Sequence, residues 1–404
     1  MGTLSAGRGR LSSPLRGITR NVFLLGLVSL LTDVSTEMIY PLVPLFLTGP
    51  LGAPVWIAGL VEGAADMTAS LLRGLSGWLS DRWGHRRPFV FAGYGLAAVA
   101  KPILALAAGW PVVLAARLLD SFGKGLRGTA RDAMIAESTP AENRGRAFGF
   151  HRMLDQTGAI LGPLVAFALL PAFGGEFRAV FVAALLPAGL GVALLLWVRE
   201  TGAVRAAASA TAPWRWKDTN PSFRQFLAIA MLFALGNASN AYLALRSRQL
   251  GMSAGEIALL FAAFNAATVA SAFPAGALSD RWGRKRVLVA AQVLFTLGYA
   301  GFAAAPASSW LWVLFVLHGT QAGMLDGVGR ALVVDLVAAE HRATCLGLHA
   351  AATGVTALAA SALAGLLWES AGPPAPFLCG AVLAAVATVL LIFWVRLPAP
   401  RPQE

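Results

Sequence analysis

GWLSDRWGHRRP (residues 77–88) and GALSDRWGRKRV (residues 276–287) spell nearly the same charged turn twice, each time between long apolar runs. A shift of 199 residues lays Gly77, Asp81, Arg82, Trp83 and Gly84 on Gly276, Asp280, Arg281, Trp282 and Gly283. The same shift lays Leu126, Gly128 and Arg131 on Leu325, Gly327 and Arg330. With one residue of slip, AENRGRAFGFH (141–151) meets AEHRATCLGLH (339–349). Similarity spread this widely at one offset marks a chain built from two related halves running in the same direction.

Composition says what the halves are made of. The 404 residues are 57% hydrophobic and 13% charged, with mean hydropathy +0.66; a soluble domain carries about a quarter charged residues. Walking along the chain in steps of about 20 apolar residues gives twelve spans. They fall at 20–47, 55–79, 89–108, 111–136, 145–170 and 178–198, then at 223–247, 255–278, 287–305, 309–337, 343–368 and 374–397. The runs are continuous rather than alternating, which selects helices over a barrel. The expected fold class is therefore an all-α integral membrane protein of twelve helices in two six-helix pseudo-repeats. Its expected parts are an N-terminal tail (1–19), a first bundle (20–198), a cytoplasmic linker (199–222), a second bundle (223–397) and a C-terminal tail (398–404). WRWKD (214–218), in the linker, reads as a basic aromatic stretch for the membrane surface.

The net charge of +12 would suggest nucleic acid in a soluble chain, but its placement points to topology. Arginines and lysines gather in alternate short loops, from Arg82 to Arg87, at Arg144 and Arg146, from Arg199 to Lys217 and from Arg281 to Arg286. By the positive-inside rule both termini face the cytoplasm. Arg178, Arg246 and Arg248 fall on the wrong side. The first apolar run is too long for a signal-peptide core, so the N-terminus is read as retained. Cys345 and Cys379 make no disulfide framework. No metal-ligand spacing and no phosphate-binding GxxxxGK[ST] occurs, so neither a metal, an organic cofactor nor an enzyme is expected.

The duplicated turn, G-x-x-x-D-R-x-G-[RK]-[RK], resembles the signature of the major facilitator superfamily over essentially the whole chain. It is carried by Gly77, Asp81, Arg82, Gly84, Arg86 and Arg87, and again by Gly276, Asp280, Arg281, Gly283, Lys285 and Arg286. The resemblance implies a gating latch on the cytoplasmic side, with Arg131 and Asp132 at the end of span four joining it. Arg117 with Gly123 and Gly125 resembles the span-four motif associated with proton coupling, although Asp120 departs from its usual glutamine. Gly158, Gly162 and Pro163 resemble a short antiporter motif, and YPLVP (40–44) resembles the end of span one in drug:proton exporters.

Ionisable groups in spans mark functional candidates. Asp33 and Glu37 share a face of span one, and Glu62 and Asp66 a face of span two. Arg117, Asp120, Lys124, Arg127 and Arg131 form one stripe along span four, while Lys101, Arg152 and Asp155 lie in spans three and five. Glu37 and then Asp33 are the candidate proton carriers, with Asp66, Arg117 and Asp120 beside them; static pairing with Lys124 or Arg127 is the competing role. The expected substrate cavity adds Tyr40, Lys101, Lys124, Arg127, Arg152, Asp155, Asn237, Asn240, Tyr242, Gln321 and Asp326, with Asp326 available to pair across the halves. His318 reads as a packed histidine. The function expected is proton-coupled efflux of a small organic solute or drug by a monomer in the inner (plasma) membrane, with protons, solute and lipid as partners and no nucleic acid. Two alternatives remain open: a facilitator or importer of an organic anion held by the basic stripe, and a receptor of the same fold that moves nothing.

Overall fold

The computed structural model describes residues 18–200, 216, 219–338 and 341–395, apart from the side chains at 74, 75, 77, 78, 81 and 343. The two tails, most of the linker with its WRWKD stretch, and the side chain of Asp81 lie outside those residues. So do the surroundings of Gly77.

Fifteen α-helices account for nearly all of the described chain. The first half comprises α1 (Arg20–Ile39), α2 (Val43–Thr48), α3 (Val55–Trp83), α4 (Arg87–Ala105), α5 (Trp110–Glu137), α6 (Arg144–Ala172), α7 (Phe177–Ala183) and α8 (Leu185–Leu194). The second comprises α9 (Pro221–Gly236), α10 (Ala241–Gln249), α11 (Ala254–Trp282), α12 (Arg284–Ala304), α13 (Trp310–Leu336), α14 (Arg342–Ala371) and α15 (Ala375–Phe393).

Ten segments are long and apolar enough to cross a membrane, counting α1–α2, α7–α8 and α9–α10 as single segments. The remaining two of the twelve runs, α5 and α13, are helices of 28 and 27 residues. Their polar content lowers their hydropathy. Three runs read as continuous are broken. Pro41 lies in the break of span one between α1 and α2, and Pro44 sits in the first turn of α2, where its missing N–H costs no helical bond. Asn237 to Asn240 interrupt span seven, and the freed Ser239 N–H donates to Ser361 Oγ on α14 at 3.2 Å. That bond satisfies a backbone group that would be costly to leave bare.

Within the first half α1 packs on α6 and α8, and α5 packs between α3 and α4. Within the second half α9 packs on α14 and α15, and α13 between α11 and α12. The halves meet along α3–α14, α6–α11 and α2–α10. Small residues let these helices touch. A Cβ on Gly354 would lie 2.7 Å from Ser70 Cβ, one on Gly365 2.5 Å from Trp56 Cβ, and one on Gly59 would overlap the Tyr242 hydroxyl. That hydroxyl donates to the Ser361 carbonyl at 2.6 Å. At the opposite end the inward side chains stand open, with Arg152 62% and Asp326 56% exposed.

Two of the arginines that break the expected loop-charge pattern, Arg178 and Arg246, have a local role. Arg178 donates to the carbonyls of Ala105 and Ala107, both at 2.7 Å, just where α4 ends. Arg246 donates to those of Phe302, Ala303 and Ala305, where α12 ends. Cationic donors at a helix C-terminus satisfy orphan carbonyls and meet the negative end of the dipole.

Candidate functional site

A closed ionic network occupies the middle of the first half. Arg117 grips Glu62 bidentately, Nε to Oε1 at 2.9 Å and Nη2 to Oε2 at 2.6 Å. It also donates to Asp120 at 3.3 Å. Lys101 donates to the other Asp120 oxygen at 2.8 Å and to Thr36 Oγ1 at 3.2 Å. All four charged side chains are buried, and the Tyr40 ring lies 5.7 Å from the Arg117 guanidinium. The bidentate fork is the geometry in which a guanidinium holds a carboxylate best. Glu62, left without a role in the sequence reading, is thus the main partner of Arg117. Its signal was present: a lone glutamate one turn before Asp66 in an apolar helix. Asp120 bridges two cations, so the departure from glutamine has a structural use here. Lys101, expected to line the cavity, and Arg117, expected to assist proton coupling, are both engaged in this network.

A second group gathers where α1, α5 and α6 converge. Asp155 accepts from Ser29 Oγ at 2.7 Å and from Arg152 at 3.2 Å, and lies 3.8 Å from Arg131. Its other side is within hydrogen-bonding reach of Asp33. Arg131 also holds Asp132 at 3.0 Å, so these two latch candidates bind each other within the first half. Arg127 is buried with its guanidinium 4.4 Å from the Tyr94 ring, and its Nη1 has no hydrogen-bond partner.

The glycine motif of α6 explains how α1 presents its acids. A Cβ on Gly158 would sit 3.0 Å from Asp33 Cβ, and one on Gly162 2.6 Å from Glu37 Cβ. The four-residue spacing of the glycines matches that of the acids, and Pro163 is buried beside them. Glu37 lies against the seam between halves, in hydrogen-bonding reach of Asn265 on α11 and in electrostatic reach of Lys124. Asn265 also donates across the seam to the Ala159 carbonyl at 2.7 Å. Among the described residues no salt bridge engages Glu37, Asp66 or Lys124. Asp66 and Lys124 are exposed although each lies far from the ends of its helix.

The second half departs from expectation. Tyr242 and Gln321, assigned to the cavity, are buried in this conformation. Tyr242 seals the α3–α14 contact, and Gln321 Nε2 turns toward His318 Nδ1 at 3.4 Å. Asn240 Oδ1 approaches the other His318 nitrogen at 3.4 Å, and Asn237 accepts weakly from Tyr299 at 3.3 Å. His318 is ringed by Phe264, Phe295, Tyr299 and Phe302 at centroid distances of 5.4 to 6.3 Å. Asp326 pairs with Arg330 on its own helix rather than across the halves; the i,i+4 spacing makes that the nearer cation.

The duplicated turns differ in length by two residues. Gly84 closes α3 at φ +70°, and two further residues precede α4, whereas Gly283 at φ +90° joins α11 directly to α12. Arg86 contacts Ser80 and Glu137, and it is Arg284, not Lys285, that contacts Ser279 and Asp335. Arg284 also pairs with Asp280. Arg82 and Arg281 are exposed. A Cβ on Gly276 would meet nothing within 4 Å in this conformation.

The family model described as Major Facilitator Superfamily matches residues 25–243 and 225–404. An uncharacterized MFS-type transporter of Methanocaldococcus jannaschii is 33% identical over 384 residues, covering 94% of this chain and 96% of its own. A homolog of the multi-drug resistance efflux pump PmrA from Lactococcus lactis is 32% identical over 189 residues, covering 45% of this chain and 46% of its own. Among solved structures, that of the nucleoside transporter NupG superposes with TM-score 0.77 at 14% identity, covering 92% of this chain and 99% of its own.

Proposed function

The chain belongs to the Major Facilitator Superfamily, and on that premise we propose a secondary active transporter that exports a small organic solute in exchange for protons. The observation that carries this reading is Glu37. It is a carboxylate with no salt bridge among the described residues, set on the seam between halves near Asn265 of α11. When the halves rock apart, its surroundings change from protein to water, and a carboxyl so moved takes up a proton in one state and releases it in the other. Asp33, next to Asp155 where α1 meets α6, is the second carrier, whereas Glu62 and Asp120 are held in ion pairs with Arg117 and Lys101. The likeness of part of the chain to a drug efflux pump homolog supports the export direction.

In this reading α5 and α13 also cross the bilayer, giving twelve spans in two pseudo-repeats. The matching helix partners of α5 and α13 within each half support this arrangement. Both termini face the cytoplasm of a plasma membrane, so the conformation described is inward-facing, with the α2–α10 end closed. One monomer completes the cycle, driven by the proton gradient without a cofactor. Proteoliposomes with an imposed pH gradient test it. Solute should move against the proton flow, and Glu37→Gln should abolish coupling; flux that ignores the gradient refutes the proposal.

A further inference from the structure

We propose that Asn265 is a positioning residue for the movement of the halves: its amide supplies to α6 the hydrogen bond that Pro163 withholds, and so bolts α6 to α11 in the conformation described. The inference rests on the reading that the halves move apart during transport. In an α-helix the N–H of each residue donates to the carbonyl four residues before it. Pro163 lies inside α6, four residues beyond Ala159. Proline has no N–H, and its ring crowds the carbonyl four residues back. Ala159 is therefore left with an acceptor that α6 does not fill in the usual way. Asn265 Nδ2, on α11 of the other half, donates to that oxygen at 2.7 Å.

The surrounding contacts fix how α6 is set. Gly158 and Gly162 press it against α1, where a Cβ on each would lie 2.5 Å from the Leu30 carbonyl oxygen and 2.8 Å from that of Val34. α6 thus packs on α1 of its own half and on α11 of the other. Thr268 and Ser271, about one and two turns further along α11, donate within their own half, to the Gly319 and Thr320 carbonyls at 3.0 Å each. Of these three polar side chains, Asn265 is the one that crosses the seam. Its bond lies between the closed end, where a Cβ on Gly255 would stand 3.2 Å from the Phe167 ring, and the open end, where Arg152 is 62% exposed. Membrane helices tolerate an internal proline when a neighbouring helix satisfies the freed backbone group. Here that neighbour belongs to the other half, so the carbonyl is satisfied by protein only while α6 and α11 stay together at this depth. The bond weighs in favour of the conformation in which the α2–α10 end is closed.

The test is the alkylation rate of Leu47→Cys, buried at the closed end, followed at that residue by mass spectrometry in the purified full-length protein. Asn265→Leu should raise the rate about tenfold, a shift of about 1.4 kcal/mol in the opening equilibrium. Pro163→Ala returns an N–H to position 163 for the Ala159 carbonyl. In that background the same Asn265→Leu change should raise the rate by less than about twofold, the behaviour of two residues that act on one group. A general loss of packing at the seam would not depend on residue 163. Asn265→Ala repeats the comparison without added bulk, so a leucine variant that fails to fold leaves the test in place. An unchanged rate on loss of the amide, or an equal rise with and without Pro163, overturns the proposal. The readout uses neither solute nor gradient, so the failure of proton-driven export and the failure of this bond are told apart.

Discussion

Glu62→Leu removes both hydrogen bonds of the bidentate pair and leaves Arg117 with Asp120 at 3.3 Å as its ionic partner. Asp120 is already engaged by Lys101 at 2.8 Å, so one carboxylate must serve two buried cations. Breaking a buried pair by removing one partner costs about 3–5 kcal/mol, because an uncompensated charge remains out of water. The residual Asp120 contact places the expected cost near 3 kcal/mol, roughly a hundredfold in the folding equilibrium. Arg117→Met should cost as much, since it leaves the fully buried Glu62 alone. The double variant should be much milder, because replacing both members of a buried pair with apolar side chains is often neutral. A double-mutant cycle on the purified protein, read by denaturant unfolding in detergent, should therefore return a coupling of about 3 kcal/mol or more. A coupling below about 0.5 kcal/mol, the level at which independent sites add, would refute the closed network. Glu62 would then become a candidate proton carrier.

Gly162→Leu should cost about 1–3 kcal/mol of overpacking, because the new side chain enters against Glu37 and the α1 backbone; Gly128→Ala, where nothing lies within 4 Å, should cost nothing in the same unfolding assay. Gly59→Leu displaces the Tyr242 hydroxyl from the α3–α14 contact and should loosen the closed end, read as faster alkylation of a cysteine introduced at the buried Leu47. Arg246→Met strips the donor from three carbonyls at the end of α12. The expected loss is about 1–3 kcal/mol of stability, with solute affinity unchanged in a binding titration.

Much of the architecture was legible because a bilayer leaves few choices. Backbone groups in hydrocarbon must be satisfied within a helix, so long apolar runs between charged turns specify helices almost unaided. The repeat was readable by the same economy, since Gly84 and Gly283 hold positive-φ positions that favour glycine. The glycines and acids of α6 and α1 also carried their register openly, as two residues four apart on each helix. Partnership was another matter. Six acids and their cations lie on five helices of the first half, and periodicity places each on a face without saying which faces meet. Only tertiary packing decided that Glu62 rather than Glu37 takes Arg117, that Asp155 takes Ser29 and Arg131, and that Arg178 and Arg246 cap helix ends. Charge type and spacing are local properties written along the chain; pairing depends on which helices are brought within about 4 Å, and that is set by the small residues between them.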